Sequence, residues 1–349
     1  TDFACAPVIV NALRDRVEKE IFGYCAPMAP FYSAVCGWQK RRFDWDVKPE
    51  WITFVPSVVA SINIAIRSFT NEGDGVIIQQ PVYDPFATIV KNDNRKVVNN
   101  GLVHINNEFK MNLEELEALA AKPENKLMVL CSPHNPVGRV WTKEELTAVA
   151  EICLKHDVLL VTDEIHADIV YEGYKHYPLL SLDKRYEENF ILLTAPSKTF
   201  NVAGLKASMS IIPNKELREK FEHTQKAMSL DVRNTFGLEC VSAAYTDEGE
   251  EWMKQEIAYM QKNVDFLEKF VEEQMPGTKM IRPQGTFLCW LDLSGDQELF
   301  RRVVFEANVI CVPGTWFGPG GEEHIRINVG CPQSMLKEAI ERIQKVLYK

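Results

Sequence analysis

The sequence predicts an α/β protein, a mainly parallel central sheet with helices on both faces plus a smaller α+β domain. Three observations carry this. Short, almost wholly apolar runs, such as residues 126–131 (KLMVLC) and 158–161 (VLLV), alternate with stretches of helical periodicity; strands apolar on both sides need cover on both faces, which crossover helices supply. The chain has 349 residues, more than one hydrophobic core usually serves, so roughly two domains are expected. Near Thr246 the texture changes from short alternating elements to a long, charged amphipathic stretch.

In chain order, residues 57–69 (SVVASINIAIRSF) have helical spacing with Ser57 placed as a cap. Glu72-Gly73-Asp74-Gly75 reads as a turn, and residues 76–79 (VIIQ) as a strand. The run 126–131 is a strand, followed by a Pro- and Asn-rich loop, SPHNPVGRVW. Thr142 with Glu145 forms a capping box that opens a helix to about Lys155, with Leu146, Val149, Ala150 and Cys153 on one face. Residues 158–161, 189–193 and 207–212 are further strands of the same sheet. Residues 250–274 form a long amphipathic helix broken by Pro276-Gly277; strands follow at 286–293 and 324–329, and a helix at 334–348. We expect a large domain over 47–245, and a small one built from 1–46 and 246–349.

Composition narrows the function. Lys plus Arg total 39 against 49 Asp plus Glu, a formal charge of −10, which disfavours a nucleic-acid partner but leaves room for a local cationic pocket. No apolar run approaches the roughly 18 residues of a membrane span, so no membrane partner is expected. The nine cysteines are odd in number, scattered and without a CxxC pair; they read as reduced, mostly buried thiols, and, with no secretory leader in view, as those of a cytoplasmic protein. No HExxH spacing suggests a metal, no GxGxxG or GxxxxGK[ST] a nucleotide, and no GxSxG a hydrolase serine.

What remains is a set of polar residues sharing one context. Asn135, Asp163 and Lys198 each follow a predicted strand, and open α/β sheets bind ligands outside the carboxyl ends of their strands. Each has an ordinary use taken singly: a solvated lysine, a helix N-cap, a turn asparagine. Together they fit one ligand. A lysine in an apolar pocket can condense with an aldehyde. A carboxylate facing a pyridine nitrogen keeps that ring protonated and able to store electrons. An amide can hold a phenolic oxygen. These are the needs of pyridoxal 5′-phosphate. Its phosphate suits the helix that starts at Ser57, Val58 and Val59, where backbone N–H groups and the helix dipole favour an anion; Ser197 adds a hydroxyl.

Pro81-Val82-Tyr83, His134-Asn135-Pro136-Val137-Gly138, Thr162-Asp163-Glu164-Ile165-His166 and Pro196-Ser197-Lys198-Thr199-Phe200-Asn201 occur in that order, followed by Arg326 in Ile325-Arg326-Ile327-Asn328. On these motifs the chain resembles the fold-type I pyridoxal-phosphate enzymes, the class I/II aminotransferase superfamily. Within it, the DEIHAD and SKTFN runs and Phe22-Gly23-Tyr24 resemble the MalY/PatB group of cystathionine β-lyases. The resemblance implies that Lys198 binds the cofactor and moves the Cα proton, with Asp163 on the ring nitrogen, Asn135 and His166 near the phenolic oxygen, and Tyr83 on the ring face. It implies that Arg326 grips the substrate carboxylate, and that Tyr24 reaches the phosphate of the neighbouring subunit in a homodimer with shared active sites. Many relatives have Arg where this chain has Lys206, and some have Ser where it has Ala195, so a thinner phosphate grip is expected. The implied activity is a C–S β-lyase acting on cystathionine or cysteine-type thioethers; an amino-acid aminotransferase and a non-catalytic regulatory protein on the same fold are the alternatives.

Overall fold

The structure is a computed structural model that describes residues 1–293 and 297–348. Its main sheet has seven strands. In spatial order they are Ile52–Val55, Ser208–Ile211, Ile191–Thr194, Leu159–Asp163, Asn125–Cys131, Gly75–Ile78 and Lys96–Asn99. The five strands from Ile191–Thr194 to Lys96–Asn99 pair in parallel. Ser208–Ile211 is antiparallel to both of its neighbours. The sheet is therefore mainly parallel, as expected, with this strand as the reversal. The chain between Thr194 and Ser208 holds only a short 3₁₀ turn, Ala203–Leu205, instead of the crossover helix that parallel pairing needs.

The reversal has a geometric consequence. Six strands run the same way and deliver their carboxyl ends to one edge of the sheet, while the seventh delivers its start. Ser57, Tyr83, Asn135, Asp163 and Lys198 follow those carboxyl ends closely, and Ala207 and Ser208 open the reversed strand, so one sheet edge collects them all.

Local signals form the elements that matter here. Ser57 Oγ accepts the Ala60 N–H at 3.1 Å and caps the helix Val58–Phe69. Thr142 and Glu145 close the expected capping box on the helix Lys143–Lys155, a device that satisfies two otherwise unpaired donors. The long helix runs over Asp247–Gln274, and the C-terminal one over Gln333–Leu347.

A second, four-stranded antiparallel sheet has the order Lys279–Ile281, Leu288–Asp292, His324–Asn328, Val312–Pro313. Its core joins Met260, Val264 and Leu267 of the long helix to Leu288, Leu291, Ile325 and Leu336. We propose a domain division near residues 47 and 245. The first 46 residues, expected with the smaller domain, touch both cores. Ile9, Phe31, Val35 and Trp38 are buried in the cluster that holds Ile52 and Phe54, whereas Phe3 packs on the second cluster. Two helices in this segment, Pro7–Glu18 and Ala29–Phe43, were not legible in the sequence. Phe31, Val35 and Trp38 share one helical face, but other apolar residues such as Val10, Val17 and Tyr32 are not buried, and the helix that covers the buried face, Thr235–Ala244, is remote in sequence.

Candidate active site

A cavity of about 520 Å³ opens at the collecting edge of the large sheet. Ser57, Val58, Val59, Tyr83, Asn135, Asp163, His166, Ser197, Lys198, Lys206 and Arg326 all line it. Of the residues expected at the site, Tyr24 alone lies elsewhere, fully exposed on the N-terminal segment.

Asp163 ends the strand Leu159–Asp163 and is buried. Burial raises its carboxyl to about 7; the Ile165 N–H, which donates to Oδ1 at 3.1 Å, and the Lys198 charge both pull it back. Lys198 lies in the loop after Ile191–Thr194. Burial pushes its ammonium below the ordinary lysine range, Asp163 opposes that, and Arg326 and Lys206 reinforce it. A lysine partly relieved of its proton is a better nucleophile and base.

Asn135 sits in the loop beyond Asn125–Cys131. Its backbone N–H donates to Cys131 Sγ at 3.4 Å, and its Oδ1 accepts from Arg326 Nη1 at 2.8 Å. Arg326 comes from the middle of His324–Asn328 in the second sheet, with its guanidinium 4.8 Å from the Phe317 ring centre. Burial lowers it to about 10, so it stays charged at neutral pH. Gly138 fixes how the Asn135 loop meets the second sheet. Its φ is +71°, and a Cβ there would lie 2.6 Å from Pro283; its carbonyl accepts from the Gln284 N–H at 2.8 Å. That close approach seats the Asn135 loop on the connection between the strands Lys279–Ile281 and Leu288–Asp292 of the second sheet.

The residues fit pyridoxal phosphate. His166 is buried, its Nδ1 has no hydrogen-bond partner, and burial pushes its ring down to about 3, so it faces the cavity as neutral imidazole. An orphaned buried nitrogen calls for a polar ligand. The first N–H groups of Val58–Phe69 have no partner within the helix, and Ser57 spends only its acceptor on Ala60, so its O–H can donate. Lys206 holds a left-handed conformation at φ +50° beside them and supplies a single cation. The donor set at this end suits a phosphate, and the acid and amine at the other suit a pyridine aldehyde.

Sequence reasoning overlooked Phe287, which packs edge-on to His166 with ring centres 5.4 Å apart, and Cys131, Ile165 and Ser208 in the wall. It also passed over Asp168, the last residue of the quoted DEIHAD run, which touches the lysine loop. Nothing local marks these residues, because their roles come from neighbours far along the chain.

Comparison with known proteins agrees with this geometry. The description "Aminotransferase class I and II" matches residues 4–343. The chain belongs to the class I and II aminotransferase family. Cystathionine beta-lyase PatB of Bacillus subtilis is 40% identical over 350 residues, covering 99% of this chain and 90% of PatB. Among solved structures of the family, a PLP-bound putative aminotransferase from Clostridium difficile has a TM-score of 0.96 at 38% identity, covering 99% of this chain and 90% of that one. Cystalysin from Treponema denticola, which contains pyridoxal 5′-phosphate, has a TM-score of 0.95 at 34% identity, with the same coverages of 99% and 90%. Both likenesses extend over the two sheets and the cavity between them.

Proposed function

We propose that this chain is a pyridoxal-phosphate-dependent C–S β-lyase that cleaves cystathionine or cysteine-type thioethers to a thiol, pyruvate and ammonia. The observation that carries the reading is that Asp163, at the end of its strand, and Lys198, in the loop after the adjacent strand, share one cavity with an Asn135–Arg326 pair, in a chain 40% identical to a cystathionine β-lyase.

When bound, pyridoxal 5′-phosphate supplies an aldehyde for amines and a protonated ring that takes up the electron pair left by a departing Cα proton. Everything else falls to this chain's residues. Val58 and Val59 N–H, the Ser57 and Ser197 hydroxyls and Lys206 hold the phosphate. Asp163, ionised against the ring nitrogen, keeps that nitrogen protonated. Asn135 and His166 address the phenolic oxygen, and Tyr83 covers the ring. Arg326, oriented by Asn135, takes the substrate carboxylate with a fork of N–H donors. Lys198 Nζ, shielded from water, accepts the Cα proton. The Cβ–S bond then breaks and the thiolate leaves with the bonding pair. Water consumed in the last stage releases pyruvate and ammonia.

An aminotransferase would share these residues and differ in where Lys198 returns the proton. The family membership favours keeping it as the second reading. The deciding experiment is a product assay on cystathionine and a panel of β-substituted amino acids with the cofactor-loaded protein. Thiol and pyruvate released without a keto-acid acceptor are expected; product formation only with an acceptor selects the aminotransferase. A colourless protein that takes up no cofactor would leave the regulatory alternative.

The oligomer belongs to the same proposal. Ile21, Phe22, Tyr24 and Met28 expose apolar side chains in one short segment, a patch that suits burial against a second copy, from which Tyr24 would reach the partner's phosphate site. A cytoplasmic location is proposed from the nine cysteines, none of which is in a disulfide. Among the described residues, no helix is long and apolar enough to cross a membrane.

A further inference from the structure

The residue after Lys198 is held by a buried carboxylate that the proposed chemistry does not use. Thr199 Oγ1 donates to Asp168 Oδ2 at 3.1 Å, and the indole N–H of Trp38 donates to Asp168 Oδ1 at 3.1 Å. Arg42 Nε approaches the same Oδ1 at 3.5 Å and is the cation that faces this acid. Thr199 is completely buried, and Asp168 and Trp38 nearly so. Trp38 is itself fixed: its ring stacks on Tyr245 with centres 4.7 Å apart and an interplanar angle of 13°. Phe200, the next residue in the lysine loop, stacks on Trp252 at 5.8 Å and lies 6.0 Å from Trp38. The loop is therefore clamped immediately beyond Lys198, at one point by a charge-assisted hydrogen bond and at the next by aromatic packing.

A buried carboxylate is costly to desolvate, and an apolar side chain could pack here without that cost. What a carboxylate offers is two acceptor oxygens in one plane, which index two elements against each other. Oδ1 takes the helix Ala29–Phe43 and Oδ2 takes the lysine loop. Asp168 lies five residues beyond Asp163, so the segment carrying one acid of the cavity also anchors the loop carrying the amine.

We propose that Asp168 is a positioning residue for Lys198: acting through the Thr199 hydroxyl, it fixes the direction in which the lysine side chain leaves its loop toward the reacting carbon. This rests on the assignment of Lys198 as the cofactor-bound lysine. The groups facing the Lys198 ammonium are Asp163, Arg326, Lys206 and the neutral His166 ring, and a change in the loop alters its distance from all four. Misplacing a reacting group by about 1 Å can cost roughly 10²-fold in rate.

The test uses the full-length, cofactor-loaded protein and four variants: Thr199→Val, Thr199→Ser, Asp168→Asn and the double variant Asp168→Asn with Thr199→Val. An amide presents one acceptor oxygen where Thr199 donates to Oδ2 and Trp38 and Arg42 donate to Oδ1, so Asp168→Asn releases one side of the link. Two quantities are read, namely kcat against KM for the amino acid and the pH midpoint of the absorbance of the lysine-bound cofactor. Thr199→Val and Asp168→Asn should each lower kcat about 10- to 100-fold with KM little changed, and move the midpoint by about 0.5–1 pH unit. Thr199→Ser should restore both quantities. The double variant should be no worse than the worse single one, because both changes cut the same link. Wild-type kcat and midpoint in Thr199→Val, failure of Thr199→Ser to restore them, or additive losses in the double variant would overturn the proposal. If Asp168→Asn does not fold, the Val and Ser variants at 199 decide. Borohydride trapping of the cofactor on the wild-type chain, absent in Lys198→Ala, tests the underlying assignment separately. A trapped wild type with unaffected Thr199→Val therefore sinks only the role of Asp168.

Discussion

The large sheet and the second sheet meet at one cavity but furnish it by different means. The large sheet supplies Asn135, Asp163 and Lys198 from neighbouring strand ends, in a register that sets Cys131 beside Asp163 and Asp163 beside Leu193. The second sheet supplies Arg326 from mid-strand, opposite Trp290, and joins the first through the hydrogen bond to Asn135. The groups assigned to the cofactor share one frame, while the group assigned to the substrate carboxylate arrives on another. The division of labour between holding the ring and gripping the amino acid is thus also a division between two cores.

The largest loss is expected from Lys198→Ala. With the amine gone from the large-sheet frame, kcat should fall about 10⁴-fold or more, while Arg326 still binds the substrate carboxylate, so amino-acid affinity measured by equilibrium binding should change little. Retained turnover would remove the large sheet from the chemistry.

Next in size is the pH dependence of stability in cofactor-free protein. Asp163 titrates near 7 when folded, against an ordinary aspartate value of 3.8 unfolded. Between these two values the folded state holds a proton that the unfolded state has released, so stability falls as pH rises through the window. Asp163→Asn removes that loss. Relative to wild type, the variant should be about equally stable near pH 4 and about 2–4 kcal/mol more stable above pH 7. Denaturant unfolding at the two pH values measures this, and a difference that does not grow with pH would contradict the burial assigned to Asp163.

Arg326→Lys addresses the second frame. One ammonium cannot reproduce the guanidinium fork toward both Asn135 and a carboxylate. An increase in KM of about 10- to 100-fold is expected, with the cofactor's absorbance unchanged. An altered cofactor spectrum would show that the frames are not separable. The smallest effect expected is from Lys206→Arg, where a fork replaces a point charge at the phosphate end. Cofactor affinity, read by equilibrium dialysis, should tighten about tenfold at most. Weaker binding would mean that Lys206 does not face the phosphate.

The legible part of the site was its large-sheet half. Asp163, Asn135 and Lys198 stand just beyond apolar runs, and strand ends can be recognised from a few neighbouring residues. Arg326 was legible only by resemblance, since an arginine within a strand has many possible partners and Asn135 lies 191 residues away. Asp168 stands in the DEIHAD motif with nothing local to give it a role, because Thr199 and Trp38, which do, are 31 and 130 residues distant. The N-terminal helices are hard to read for a related reason: apolar residues lie off their buried faces as well as on them, and Ile9, Phe31 and Trp38 bury against residues far along the chain.

By itself the amino-acid order determined the apolar strands, the capped helices at Ser57 and Thr142, and which polar residues follow the strands. These depend on alternation, periodicity and capping within a few residues. Long-range packing makes Ser208–Ile211 run backward, brings Arg326 of the second sheet onto Asn135, and sets Asp168 as a clamp on the lysine loop. Such contacts join segments tens to hundreds of residues apart, and packing, not local preference, determines which of them meet.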